Sequence, residues 1–186
     1  MNLKPYRIIE PHNILNGLFA LNAESGDKGS LVKILDSGWV NGQPQKAISL
    51  TSLANVVSNR YVLPSQIGLA GSGDTSATIL GVLLNDVRAT NFLGVSYLYD
   101  QVRKAEGEIV LSGEAAPVVT KAVLLVNANW GTGASQGGTP AVNYGAVAHD
   151  TVAGGWKVVA GSTAGSIGKF LGSADVDGYA LFKLDL

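Results

Sequence analysis

Residues 155–186 constrain this chain more than any other stretch. Two apolar runs, GWKVVA and SIGKFLG, precede a turn written SADVDG, and YALFKLDL follows it. In the last run Ala180, Phe182, Leu184 and Leu186 fall on one face of an extended chain, while Lys183 and Asp185 fall on the other. That period of two predicts a half-buried β-strand. Asp177-Gly178 supplies turn chemistry, because both residue types tolerate positive φ. A strand of this kind pins its end into a sheet. Trp156 alternates with Val158 and Ala160 and reads as core.

The rest of the chain repeats this style. Runs with strand character are 30–35 (SLVKIL), 67–70 (IGLA), 77–84 (ATILGVLL), 108–111 (EIVL), 118–126 (VVTKAVLLV) and 145–149. Asn41-Gly42 and the Gly-rich GSGDTS mark turns between them. In ATILGVLL, three β-branched residues and Gly81 favour strand over helix. Residues 91–106 (NFLGVSYLYDQVRKAE) suit neither period cleanly: the apolar residues fit a helix, while Gly94 and the spacing favour irregular structure. Roughly eight to ten short strands at regular turn spacing predict an all-β fold, a small barrel or a sandwich of short antiparallel strands. The 186 residues, with 24 glycines, suffice for one core and an appendage. The expected division is an extended N-terminal arm over 1–22, punctuated by Pro5 and Pro11, and a β-domain over 23–186. Ile14, Leu15, Leu18, Phe19 and Leu21 make that arm apolar, which suits either a first strand or strap over the core, or a segment that adds to the sheet edge of a neighbouring chain.

Composition removes several function classes. Net charge is −1 with no basic block, so phosphate-directed nucleic-acid binding is not expected. There are no cysteines, hence no disulfides or thiolate metal sites. The N-terminal residues lack the apolar core of a signal peptide, and no apolar run approaches the ~20 residues of a membrane span. Charged residues are 15% of the chain, below the usual value of about 25%, as fits either a compact β protein with many turns or a surface partly covered by partners.

No chemistry-bearing motif survives inspection. His149-Asp150 are neighbours, so in a strand they point to opposite faces. His12 sits in the arm and reads as solvated. The tract GSTAGSIGK lacks the spacing and the following Ser or Thr of a phosphate loop. Asp175-Val176-Asp177-Gly178 lacks the distal ligands of a calcium loop. Pairs such as Asp74 and Asp86 could meet in a cleft, but nothing in the sequence places them there. The expectation is no enzyme, no metal and no cofactor. Trp130 opens a Gly/Ser/Thr-rich stretch, 130–143, read as an exposed contact loop.

The order of these stretches resembles that of tailed-bacteriophage capsid decoration, or cement, proteins. The likeness is carried by IEPHNILNGLFALN with SGDKGSLVKI, by SNRYVLPSQIGLAGSGDTSATILGVLLNDVR, by GEIVLSGEAAPVVTKAVLLV, and by IGKFLGSADVDGYALFKLDL. The resemblance implies a structural virion protein, made in the host cytoplasm. It implies binding to the outer face of a capsid, with the major capsid protein as partner and homotrimers as the assembly. Ile14, Leu15, Leu18, Phe19 and Leu21 would be the capsid-binding arm. The alternative is a β-domain of a head or tail fibre that binds a host receptor or glycan through the Trp130 loop.

Overall fold

The computed structural model describes residues 3–6, 9–19, 26–35, 66–111, 114–127, 139–148, 151–161 and 164–186. Among the described residues the protein is all-β apart from one short α-helix and a 3₁₀ turn. In chain order the elements are β1 (Leu3–Pro5), a 3₁₀ turn (Pro11–Asn13), β2 (Ile14–Phe19), β3 (Leu31–Ile34), β4 (Gln66–Leu69), β5 (Ile79–Leu83), α1 (Gln101–Glu106), β6 (Ala115–Val119), β7 (Lys121–Asn127), β8 (Gly145–Ala148), β9 (Trp156–Val159), β10 (Gly168–Phe170) and β11 (Tyr179–Asp185). Five strands pair in the order β2-β4-β3-β5-β6, and β6 pairs back to β2, closing a small barrel. The β2–β4 pair is parallel and the other four are antiparallel. The remaining six form an antiparallel sheet, β1-β7-β11-β10-β8-β9.

The tail strand takes the place its pattern predicts. β11 lies inside the six-stranded sheet, between β7 and β10, with Phe182 opposite Leu124 on one side and Phe170 on the other. Ala180, Phe182 and Leu184 are buried on one face. The Phe182 ring meets Trp156 edge-on at 5.0 Å and Phe170 at 4.9 Å. Such geometry sets the positive ring edge on the negative face. The turn before β11 closes by Gly178 N–H donating to the Asp175 carbonyl, at 3.0 Å. The Asp175 carboxylate accepts from the Asp177 and Tyr179 N–H groups at 3.0 and 2.8 Å, so it builds a turn.

The unbroken apolar runs have a structural reason. A barrel wall packed on its outside against a second sheet buries both faces of its strands, so neighbouring residues are both apolar. Val32, Leu83 and Val118 belong to one core with Ile67 and Ala116. Their neighbours Leu31, Val82 and Val119 belong to the other, shared with Phe182, Trp156 and Leu124 from the sheet. Gly81 lets β5 approach β6, since a Cβ there would collide with the Val119 carbonyl and the Val118 side chain. Polar ties join the two halves as well. The buried indole N–H of Trp156 donates to the Gly29 carbonyl at 2.8 Å, and Leu31 N–H donates to Gly154 at 2.9 Å.

Three stretches differ from expectation. The run VVTKAVLLV is two strands, β6 and β7, which leave the barrel and enter the sheet at Thr120. Thr120 is held at that corner: its N–H and hydroxyl both donate to the Asn13 carbonyl, at 2.9 and 3.2 Å. Residues 108–111 make an isolated bridge, Val110 to Val87, although Ile109 and Val110 are buried. Where an extended arm is expected over 1–22, the described residues are paired strands of both β units: β1 pairs β7, and β2 pairs β6 and β4. Backbone donors and acceptors need partners, and an apolar segment finds them most cheaply in its own sheets.

Candidate docking site

The connection from β5 to β6 is the longest described excursion from the barrel, and it carries the most unusual surface. Phe92 is 90% exposed, Leu93 64%, Tyr99 83% and Val102 69%, with Val95 nearly half exposed. Large apolar side chains gathered in one segment and left in water mark interaction surfaces.

Local chemistry builds this segment. Asn91 is 7% exposed, and its side-chain Oδ1 accepts from the Leu93 and Val95 N–H groups at 2.9 and 3.0 Å. Asn91 N–H donates to the Val95 carbonyl at 2.9 Å, and Gly94 N–H returns to the Asn91 carbonyl at 3.0 Å. Gly94 sits at φ 78°, a left-handed conformation that a side chain would strain. Thr90 bridges Ser96, and Tyr97 N–H donates to the Ala89 carbonyl at 3.1 Å. The result is a closed hairpin with Phe92, Leu93 and Gly94 at its tip. One buried donor, Nδ2 of Asn91, has no hydrogen-bond partner.

Behind the tip, Asp100 caps α1 by accepting from the Arg103 N–H at 3.3 Å. Ion pairs fasten the excursion to the barrel rim. Arg88 pairs with Asp27, Lys104 with Glu114 at 2.5 Å, and Lys28 with Glu108 at 3.6 Å. The Lys28 N–H donates to the Asp86 carboxylate at 2.5 Å, and the Asn85 amide to the Glu108 carbonyl at 2.9 Å. A small polar cleft of about 330 Å³ lies among these groups, lined by Asp27, Lys28, Asp86, Arg88 and Glu108.

The residues singled out from sequence fall as follows. Ile14, Leu15, Leu18 and Phe19 all lie in β2, where Ile14 to Leu18 pair with β6 and Leu18 and Phe19 pair with β4. Ile14 is half-buried and Leu15 exposed. Leu21, Trp130, His149 and Asp150 lie outside the described residues. His12 is exposed, 3.0 Å from the Glu10 carboxylate.

Asp74 and Asp86 serve separate networks. Asp74 accepts from Gly71 N–H at 2.7 Å, from the Lys33 ammonium at 2.7 Å and from the Thr78 hydroxyl at 3.2 Å. Burial works to raise its carboxyl, and these three donors outweigh burial, holding the group below the ordinary carboxylate value. Among the described residues no three His, Cys, Asp or Glu side chains gather as a metal site, and no helix is long and apolar enough to cross a membrane. The sequence signal for the hairpin was the charge-free run NFLGVSYLY, whose lack of a period left its structure open.

No protein-family model, curated protein or solved structure matches this chain.

Proposed function

We propose that this protein is a structural component of a phage virion that binds the outer surface of the capsid and stabilises it by bridging major capsid protein subunits. The observation that carries this reading is the exposed apolar hairpin of residues 91–99, held rigid on a barrel whose own strands are mutually paired. The strand-and-turn order that resembles decoration proteins supports the choice of a capsid as the surface. A protein that binds only the assembled shell stabilises it by mass action, without any chemical step. Homotrimers around local threefold positions are the assembly we propose, since closed cyclic symmetry leaves no unpaired interface. We place the contact on the hairpin and not on residues 14–19, because β2 pairs with β6 over Ile14 to Leu18 and with β4 at Leu18 and Phe19.

Co-sedimentation with expanded capsids that lack this protein tests the proposal. Saturable binding at a fixed number of copies per shell is expected, with the decorated shells resisting heat better than bare ones. A folded protein that stays in the supernatant at every concentration would overturn it.

A further inference from the structure

We infer that the 91–99 hairpin is a preformed plug for an uncharged apolar pocket on the partner protein, with Phe92 and Tyr99 as anchors and Asn91 as the residue that sets the tip. The inference rests on the docking reading above and names the chemistry of its partner.

Three observations select a protein pocket. First, residues 89–99 carry no charge, and the large apolar side chains exposed there are Phe92, Leu93, Val95 and Tyr99. A glycan site needs several side-chain donors and acceptors beside its aromatic platform, and among the exposed side chains of 89–99 only Thr90 and Tyr99 carry a hydroxyl. Second, the nearby cations are matched by carboxylates: Arg88 by Asp27, Arg103 by Asp100 at 3.4 Å, and Lys104 by Glu114. An anionic lipid surface or a nucleic acid would call for unmatched cations beside the apolar tip. An uncharged apolar centre inside a rim of satisfied polar groups is instead the anatomy of a protein–protein contact. Third, the tip is ordered before any partner arrives. The Asn91 carboxamide ties the amides of Leu93 and Val95, and Gly94 closes the turn. A preorganised loop loses little conformational freedom on binding, so more of its apolar burial appears as affinity.

Asn91 is therefore a positioning residue, acting through the backbone of the tip. Its Nδ2 makes no hydrogen bond, whereas its Oδ1 makes two. Replacement by Asp keeps both acceptor contacts and gives up none the loop uses. Replacement by Ala removes both.

The test uses the full chain and bare capsids, with four proteins side by side: wild type, a Phe92→Ser/Tyr99→Ser double variant, Asn91→Ala and Asn91→Asp. The double variant should keep its unfolding midpoint and bind about tenfold more weakly or worse. Asn91→Ala should bind more weakly, with faster amide exchange at Leu93 and Val95, and Asn91→Asp should recover most of the loss. Wild-type binding that the double variant retains in full overturns the plug and leaves the capsid reading standing. No wild-type binding overturns both. Equal binding by Asn91→Ala and wild type overturns the positioning role. Two controls assign the occupant. Hairpin-dependent binding to phosphatidylcholine/phosphatidylglycerol vesicles overturns the protein pocket in favour of a membrane. Hairpin-dependent self-association of the free chain overturns it in favour of a second copy.

Discussion

The tripeptide Leu-Gly-Val occurs in both ATILGVLL and NFLGVSYLY, and the two copies have opposite fates. Leu80-Gly81-Val82 lies in β5, with Val82 fully buried and Gly81 pressed against β6. Leu93-Gly94-Val95 forms the tip of a hairpin, with Leu93 and Val95 exposed and Gly94 at positive φ. Local propensity is nearly the same, so neighbours decide. β5 has β3 on one side and β6 on the other, with Ile79, Gly81 and Val82 paired to β3 and Val82 and Leu83 to β6. The second copy follows Asn91, whose side chain captures the amides of Leu93 and Val95 before a ladder can. One apolar segment holds the fold together. The other is held out by the fold, as the proposed docking requires.

Substitutions can break that contrast or sharpen it. The largest effect belongs to Phe182→Ala, which removes the ring that meets both Trp156 and Phe170 in the shared core. It should cost about 3–5 kcal/mol in urea unfolding. Leu83→Ala, in the barrel interior, should cost about 2–4 kcal/mol. A loss below about 1 kcal/mol at either site would mean that the two cores are not packed as described.

Asp74→Ala should cost less, about 1–2 kcal/mol, by orphaning the Gly71 amide and the Lys33 ammonium. Its carboxyl is held below the ordinary value of 3.8, so the folded state favours the ionised form. The stability it adds is fully present above that value and is lost as pH falls through the lower, folded one. Acid titration of stability should therefore be shallower in Asp74→Asn than in wild type. Identical acid limbs would show that the Lys33 contact contributes nothing.

The smallest effect on folding belongs to Phe92→Ser, within about 0.5 kcal/mol of wild type, because that ring is in water. A large loss there would mean that the tip is packed and the contrast is false.

Much of the framework was legible in the residues. The alternation of Ala180, Phe182 and Leu184, the core position of Trp156, the strand over 79–83 and the Asp175 turn all follow from period and turn chemistry. The corner at Thr120 was not, because VVTKAVLLV has strand character throughout, and what bends it is a carbonyl from Asn13, distant in sequence. The pairing of residues 3–5 was missed, and that of 14–19 was only one of two open readings, for a related reason. Proline-punctuated apolar chain reads alike whether it docks on a neighbour or closes its own sheet, and only long-range pairing separates the two. The hairpin was hidden because helical and strand periods fail together in NFLGVSYLY. That failure, joined to the absence of charge, was itself the signal.

Hydrogen exchange of the full chain, alone and on bare capsids, tests the central claim most directly. The account predicts that capsid binding slows exchange in residues 91–102 and leaves the β2 amides unchanged, since those already have partners within the barrel. Slowing confined to residues 3–19, with the hairpin unaffected, would contradict it and return the contact to the N-terminal segment.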